Sequence, residues 1–181
     1  MEGTPEGIAA AVRRLVDRAE IEDCLLRYFR GLDRFDVELV SSTYHADAYD
    51  DHGHFKGTAP EFFDHLRALL PAFSALTHFR GNSLIEFRSE DVAHVETYAL
   101  AYHRPHDRRH QDLLCVRYLD RFERRTGEWR VAHRRVVVDW SASSVPAADA
   151  EHAAEFMQGR HSTEDPVYDW PGAAVPGGTP G

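Results

Sequence analysis

The sequence predicts an α+β fold, with helices in the first part of the chain and an antiparallel sheet in the second. Apolar residues recur every three or four positions up to about residue 70, as in amphipathic helices. From Thr77 onward, extended segments alternate with turn-like sequences. A run of helices followed by a run of strands favours α+β over an alternating parallel fold. If the sheet curls around the helices, the domain is cone-shaped.

The helical part divides into three segments. The first covers residues 5–32, as one helix or as two abutting helices, and Asp33 lies at its end. Asp36 is suited to cap a short second helix, and Thr58 to cap a third. Pro71 cannot lie inside a helix, so we expect the third helix to end there. Asp33 is therefore predicted to lie at a corner between two helices.

The strand part contains four extended segments, predicted over residues 77–87, 93–103, 113–123 and 128–140. The last two are separated by Arg124 to Gly127, a hairpin signal. We assign residues 1–145 to the folded domain and residues 146–181 to a C-terminal extension. Its aromatic segment Phe156 to Trp170 is predicted to pack over a pocket mouth or a neighbouring subunit, because such residues form a costly exposed patch. The Gly- and Pro-rich end, from Pro171, is predicted to be disordered.

Composition restricts the class of protein. The 181 residues, 43% of them hydrophobic, suffice for one core. A net charge of -9 argues against nucleic-acid binding, which requires a basic face. Cys24 and Cys115 imply no disulfide framework. Without an apolar run of membrane-spanning length or a signal-like N-terminus, we expect a cytoplasmic protein with no membrane contact.

Three side chains suggest acid–base chemistry. Asp33 ends a strongly apolar helix, and His78 and His103 each lie in a predicted strand. A carboxylate beside an imidazole can orient and charge it, so we predict that His78 acts as the base near neutral pH with Asp33 behind it. His103 can then act as the acid that protonates a departing hydroxyl. Strand alternation puts His103 on the same face as the small residues Ala99 and Ala101, which leave room for a ligand.

Other residues are candidates for assisting catalysis or for binding substrate. Tyr28 and Tyr49 are catalytic candidates, because they can donate hydrogen bonds to a ketone oxygen whose negative charge grows in the transition state. Phe29, Asn82 and Arg135 are candidate substrate contacts. Arg134, the neighbour of Arg135, competes with it for the inward position, since a bulge would exchange the two.

A group of His and Asp residues raises the question of a metal site: His45, Asp47, Asp50, Asp51, His52 and His54. Their spacing fits no established metal motif, and a solvated acidic face explains them more simply. No phosphate-binding loop or dinucleotide fingerprint is visible. We therefore expect neither a metal nor a cofactor.

Short motifs spread over residues 10–140 resemble the SnoaL-like branch of the nuclear-transport-factor-2-like superfamily. They are Ile21-Glu22-Asp23, Arg27-Tyr28, Gly31-Leu32-Asp33, Tyr44, Asp47, Gly57, Thr77-His78, Asn82, Arg121-Phe122-Glu123-Arg124 and Gly127-Glu128-Trp129. The resemblance implies an α+β cone with a pocket between sheet and helices. Small lyases of the superfamily place an Asp, a His and a Tyr where Asp33, His78 and Tyr28 stand, and some use a second His, which His103 matches. No carboxylate stands at Ala101, where one of these lyases has an Asp.

Three functions follow from these residues and the resemblance. The first is a cofactor-independent dehydratase acting on a cyclic, polyketide-like or steroid-like hydroxy ketone. The second is an isomerase or polyketide cyclase in which one Asp shuttles a proton. The third is a non-catalytic binding or docking module, which predicts that Asp33 and His78 do not meet. In each case we expect a hydrophobic small-molecule ligand and a homo-oligomer, either a dimer or a trimer, because sheet faces bearing Tyr98 and Tyr102 need cover.

Overall fold

In the computed structural model, which describes residues 3–147 and 151–169, three α-helices pack against a curved sheet of six strands. The elements are α1 (Pro5–Asp33), α2 (Val37–Ser41), β1 (Tyr44–Asp51), β2 (Lys56–Thr58), α3 (Ala59–Leu69), β3 (Phe73–Phe87), β4 (Val92–Pro105), β5 (Gln111–Arg125) and β6 (Glu128–Ser144). Short 3-10 helices cover Leu70–Ala72, Glu151–Glu155 and Pro166–Tyr168. The α+β prediction is confirmed. No helix in the described ranges is long and apolar enough to cross a membrane.

The helix boundaries follow the capping signals. The first helical segment is one continuous helix, and Thr4 caps it by accepting a hydrogen bond from the Gly7 amide at 3.2 Å. Asp36 caps α2 by accepting from the Leu39 amide at 2.9 Å. Thr58 and Glu61 form a capping box at the start of α3. The predicted caps are therefore confirmed.

Close packing of α1 on α2 depends on Gly31. A Cβ atom at this position would lie 2.7 Å from Cγ2 of Val40, so a larger residue would force the two helices apart. The corner that follows includes Phe35, whose φ of 55° lies in the left-handed region. This tight corner fixes where the end of α1, and with it Asp33, meets the sheet.

The sheet has the order β2-β1-β6-β5-β4-β3. Strands β3 to β6 are antiparallel neighbours, as predicted, and Thr126 and Gly127 turn the β5–β6 hairpin with φ of 52° and 88°. One pairing is parallel: strand β1, which was not among the predicted strands, lies parallel to β6. This extra strand brings residues 44–51 against the core.

Two bulges decide which side chains point inward. The β5–β6 register shifts between Arg121 and Phe122, so Ala132 is the extra residue and inward positions change parity beyond it. Arg134 is consequently buried, whereas Arg135 is exposed. The β3–β4 register shifts between Arg80 and Ser83, which leaves Asn82 exposed. The core lies between the inner sheet face and α1.

The C-terminal extension packs on the corner after α1. His161 Nδ1 lies 2.7 Å from the backbone oxygen of Asp33, and its ring stacks on Phe35 with centroids 4.6 Å apart. Arg34 forms an ion pair with Asp165 at 3.3 Å. Phe156 and Met157 are 68% and 81% exposed in the single chain, and packing of this segment over a pocket mouth or a neighbouring subunit stays a prediction. Trp170 and residues 171–181, for which packing and disorder were predicted, lie outside the described residues.

Candidate active site

A mainly apolar cavity of about 270 Å³ opens between α1, α3 and the inner face of the sheet. Leucine, valine and phenylalanine side chains form most of its wall: Leu32, Phe62, Leu66, Leu69, Leu70, Phe73, Leu76, Leu114, Val116, Val136 and Val138. The polar groups come from Tyr28, Tyr118 and five histidines, namely His52, His54, His65, His78 and His103. An apolar cavity with a few convergent polar groups is typical of a small-molecule site.

Asp33 and His78 form a hydrogen-bonded pair at this cavity. Asp33 Oδ1 lies 2.7 Å from Nδ1 of His78, and the His78 backbone amide donates to both carboxylate oxygens at 3.0 and 3.1 Å. The carboxylate can only accept, so the Nδ1 proton lies on this bond and Nε2 carries the free lone pair. The side chains of His78 and Asp33 are 6% and 16% exposed. Asp33 does not itself line the cavity.

His103 lies next to His78, with ring centroids 5.7 Å apart in an edge-to-face arrangement. Both line the cavity, as the strand pattern predicted. Burial, and secondly the neighbouring His78, lowers the pKa of His103 to about 4. The ring is therefore neutral near pH 7. A neutral imidazole donates a hydrogen bond well but is a poor source of a proton for a departing hydroxyl, so the predicted acid role of His103 needs revision.

Tyr28 reaches the cavity wall but is fully buried. Its hydroxyl lies 3.2 Å from Nε2 of His52, and the guanidinium of Arg134 lies over its ring at 4.0 Å. Burial raises the pKa of Tyr28 well above its usual value, and Arg134 opposes this effect only in part. Tyr28 is therefore a neutral phenol, and its expected hydrogen bond to substrate stays a prediction.

A buried ion pair, Arg134 and Asp120, lies behind the rings of Tyr28 and Tyr118. Arg134 donates from Nε and one terminal nitrogen to the two carboxylate oxygens of Asp120, both at 2.7 Å, and both side chains are inaccessible to solvent. The guanidinium also contacts the ring of Tyr118, at 4.8 Å from its centroid. This bidentate geometry is the strongest form of a carboxylate–guanidinium pair. It anchors β5 to β6 under the cavity.

Four predicted site residues lie away from the cavity. Tyr49 is 41% exposed and stacks on His133, on the outer side of the sheet. Asn82 and Arg135 point outward because of the bulges described above, so their assignment as substrate contacts is wrong. Phe29 is buried behind His78, at 5.9 Å between ring centroids, and does not line the cavity. Phe29 therefore packs against the His78 ring and is not placed to contact a ligand in the cavity.

Three histidines of the cavity wall were not predicted as site residues. His52 forms a very short hydrogen bond with the buried Asp50, and its ring stacks on Phe62 at 4.7 Å. His65 Nε2 is buried and has no hydrogen-bond partner among the described residues. His54 lies near His65, with ring centroids 5.5 Å apart, and burial lowers its pKa. The spacing of Asp50 and His52, two residues apart at the end of a strand, was the available signal, because such residues share a face.

The group considered as a metal site is divided between two faces. Asp50 and His52 point inward, whereas Asp47 pairs with Arg125 and Asp51 with Lys56 at the surface. Within residues 3–147 and 151–169, no group of three or more His, Cys, Asp or Glu side chains is placed to hold a metal ion.

The curved sheet, the helices that cover it and the cavity between them define the protein as an α+β cone. A family model described as a SnoaL-like domain matches residues 13–135, and the chain therefore belongs to the SnoaL-like family. The resemblance noted in the sequence is confirmed. A comparison with curated protein sequences gave no match.

Solved structures of the same fold include several with enzyme names. A protein provisionally named scytalone dehydratase from Novosphingobium aromaticivorans is 23% identical with a TM-score of 0.68, covering 77% of this chain and 94% of its own. A type 2 hexachlorocyclohexane dehydrochlorinase is 22% identical with a TM-score of 0.72, over 79% and 99% of the two chains. The type 3 enzyme from Novosphingobium barchaimii is 21% identical with a TM-score of 0.70, over 77% and 98%. At these identities, the likeness shows a shared fold.

Proposed function

We propose that this protein is a cofactor-independent lyase that removes water from a cyclic, polyketide-like or steroid-like hydroxy ketone. The observation that carries the proposal is the 2.7 Å bond between Asp33 and Nδ1 of His78, on the wall of an apolar cavity. Similar structures carry the names of a dehydratase and of dehydrochlorinases, and both names describe elimination reactions. Elimination begins with removal of a proton, which this pair is suited to perform.

His78 acts as the base. Its Nε2 takes a proton from the carbon next to the ketone, and the resulting imidazolium is stabilised by Asp33, which holds the ring through Nδ1. The two backbone bonds from His78 keep the carboxylate in place. His103, neutral near pH 7, donates a hydrogen bond to the ketone oxygen, where negative charge develops.

The cavity indicates a hydrophobic substrate of modest size. Its wall is mostly aliphatic and aromatic, and a 150 Å³ apolar cavity holds about one benzene ring. A volume of about 270 Å³ therefore suits about two fused rings, which favours a polyketide-like over a steroid-like substrate. The isomerase and cyclase alternative requires a carboxylate facing the ligand, and Asp33 faces His78 instead. We make no second functional proposal.

The test is elimination of water from a panel of bicyclic β-hydroxy ketones, followed by absorbance of the conjugated product. His78→Gln is expected to lower kcat/KM by roughly 10²- to 10⁴-fold, the usual contribution of a general base. His94→Ala is the matched control, because His94 lies exposed on β4 and bonds to Arg88. Equal activity of the wild type and His78→Gln, with turnover detected, would rule out His78 as the base.

A further inference from the structure

A second histidine–carboxylate pair, Asp50 and His52, lies at the end of β1. His52 Nδ1 donates to Oδ1 of Asp50, and the other carboxylate oxygen accepts from the Tyr44 hydroxyl at 2.7 Å. Asp50 is inaccessible to solvent, whereas His52 is 17% exposed and lines the cavity. The imidazole is stacked on Phe62. The pair thus resembles Asp33 and His78: in each, a carboxylate that does not line the cavity bonds to Nδ1 of a ring that does.

The second ring nitrogen of His52, Nε2, lies 3.2 Å from the Tyr28 hydroxyl, at the long end of the range for an N–H···O hydrogen bond. An oxygen atom of a ligand can therefore compete with this hydroxyl for Nε2. Because His52 and His78 line the same cavity, a ligand there can contact both rings.

Two buried carboxylates lie near His52. Asp120 is already committed to Arg134 through two 2.7 Å bonds, whereas Asp50 bonds directly to Nδ1 of His52. A buried carboxylate at hydrogen-bond distance stabilises an imidazolium.

The other groups facing His52 come from three elements. They are the neutral phenols of Tyr28 on α1 and Tyr118 on β5, the Phe62 ring on α3, and His54, whose lowered pKa leaves it neutral near pH 7.

We propose that His52 is the acid of the reaction. This inference rests on the proposed function and supplies the proton donor that His103 does not. The C–H bond breaks as His78 takes the proton, and its electron pair moves into the ketone to give an enolate. That pair then forms the C=C bond as the C–O bond breaks, the leaving oxygen takes the Nε2 proton of His52, and water departs. His78 ends protonated and His52 neutral, and exchange of one proton each with solvent restores both.

A change of leaving group tests this role separately from that of the base. Hydroxide needs a proton to depart and chloride does not, so we compare a β-hydroxy ketone with the matching β-chloro ketone. His52→Gln is expected to lower kcat/KM for the hydroxy compound by about 10²-fold or more, and for the chloro compound by less than about threefold. His78→Gln is expected to lower both, because both substrates lose the same proton.

The outcomes separate the two proposals. Equal losses on both substrates in His52→Gln, or no loss on either, would overturn the acid role while leaving the base role intact. Full activity of His78→Gln on both substrates would instead contradict the proposed function.

A measurement that needs no substrate covers the case in which neither compound reacts. Nitrogen NMR of the imidazole rings near pH 7 is expected to show His52 protonated at both Nδ1 and Nε2 in the wild type, and at only one nitrogen in Asp50→Asn. Asp47→Asn on the same strand is the control, because Asp47 pairs with Arg125 at the surface. A wild-type His52 ring protonated at only one nitrogen would overturn the inference.

Discussion

Protonation of His103 should cost stability as the pH falls, and the size of the effect can be worked out. Its pKa in the folded protein is about 4, against a usual value of 6.5 that applies to the unfolded chain. Between these values the unfolded chain binds more protons, so stability increases with pH. The contribution is fully present above pH 6.5 and is lost as the pH falls to 4. With about 1.4 kcal/mol per pH unit, it amounts to at most about 3 kcal/mol.

The assay is urea unfolding of the wild type and His103→Asn at several pH values between 7 and 4, followed by tryptophan fluorescence. The wild type is expected to lose up to about 3 kcal/mol more than the variant over this range. Effects of histidines remote from His103 cancel in the comparison, whereas His78, whose ring is 5.7 Å away, is coupled to it. The exposed His94→Ala variant is expected to follow the wild type. If the curves of wild type and His103→Asn are parallel, His103 is not kept neutral by burial and the reasoning is refuted.

Three further changes test other parts of the structure. Arg134→Met leaves Asp120 as an unpaired buried charge and is expected to reduce the free energy of unfolding by about 3–5 kcal/mol, measured in urea; a loss under 1 kcal/mol would contradict the buried pair. Tyr49→Phe is expected to leave kcat/KM within about twofold, because the hydroxyl lies outside the cavity, and a loss above tenfold would contradict that placement. His161→Ala removes the contact with the Asp33 backbone oxygen and is expected to lower kcat several-fold with little change in melting temperature; unchanged kcat would show that the extension does not support the site.

The sequence predicted the fold well wherever local chemistry decides it. Capping residues such as Asp36 and Thr58 mark helix starts through bonds to nearby amides, so they can be recognised without tertiary information. The turn after β5 has positive φ values at Thr126 and Gly127, and glycine adopts such a value without steric cost. Strand β1 was harder, because three of its eight residues are Asp and its partner β6 lies about 85 positions further along the chain.

The candidate site was predictable only in part, for a physical reason. Asp33, His78 and His103 lie where regular helix and strand geometry places them. Arg135 and Asn82 follow bulges, and one extra residue in a strand exchanges the inner and outer faces beyond it. Nothing in local sequence marks such a bulge clearly.

The Asp50–His52 pair was missed for a different reason. Its residues lie in a segment with four further His and Asp residues, and two of these, Asp47 and Asp51, form surface ion pairs. Only the fold separates the inward pair from these surface residues.

Exchange of the α-proton with solvent tests the central claim, the action of His78 as base, most directly. A bicyclic ketone without the β-hydroxyl group cannot eliminate water, so incorporation of deuterium from D₂O at its α-carbon reports proton removal alone. The wild type is expected to catalyse exchange and His78→Gln to be slower by roughly 10²-fold or more, with His52→Gln close to the wild type. Equal exchange rates in the wild type and His78→Gln would contradict the claim.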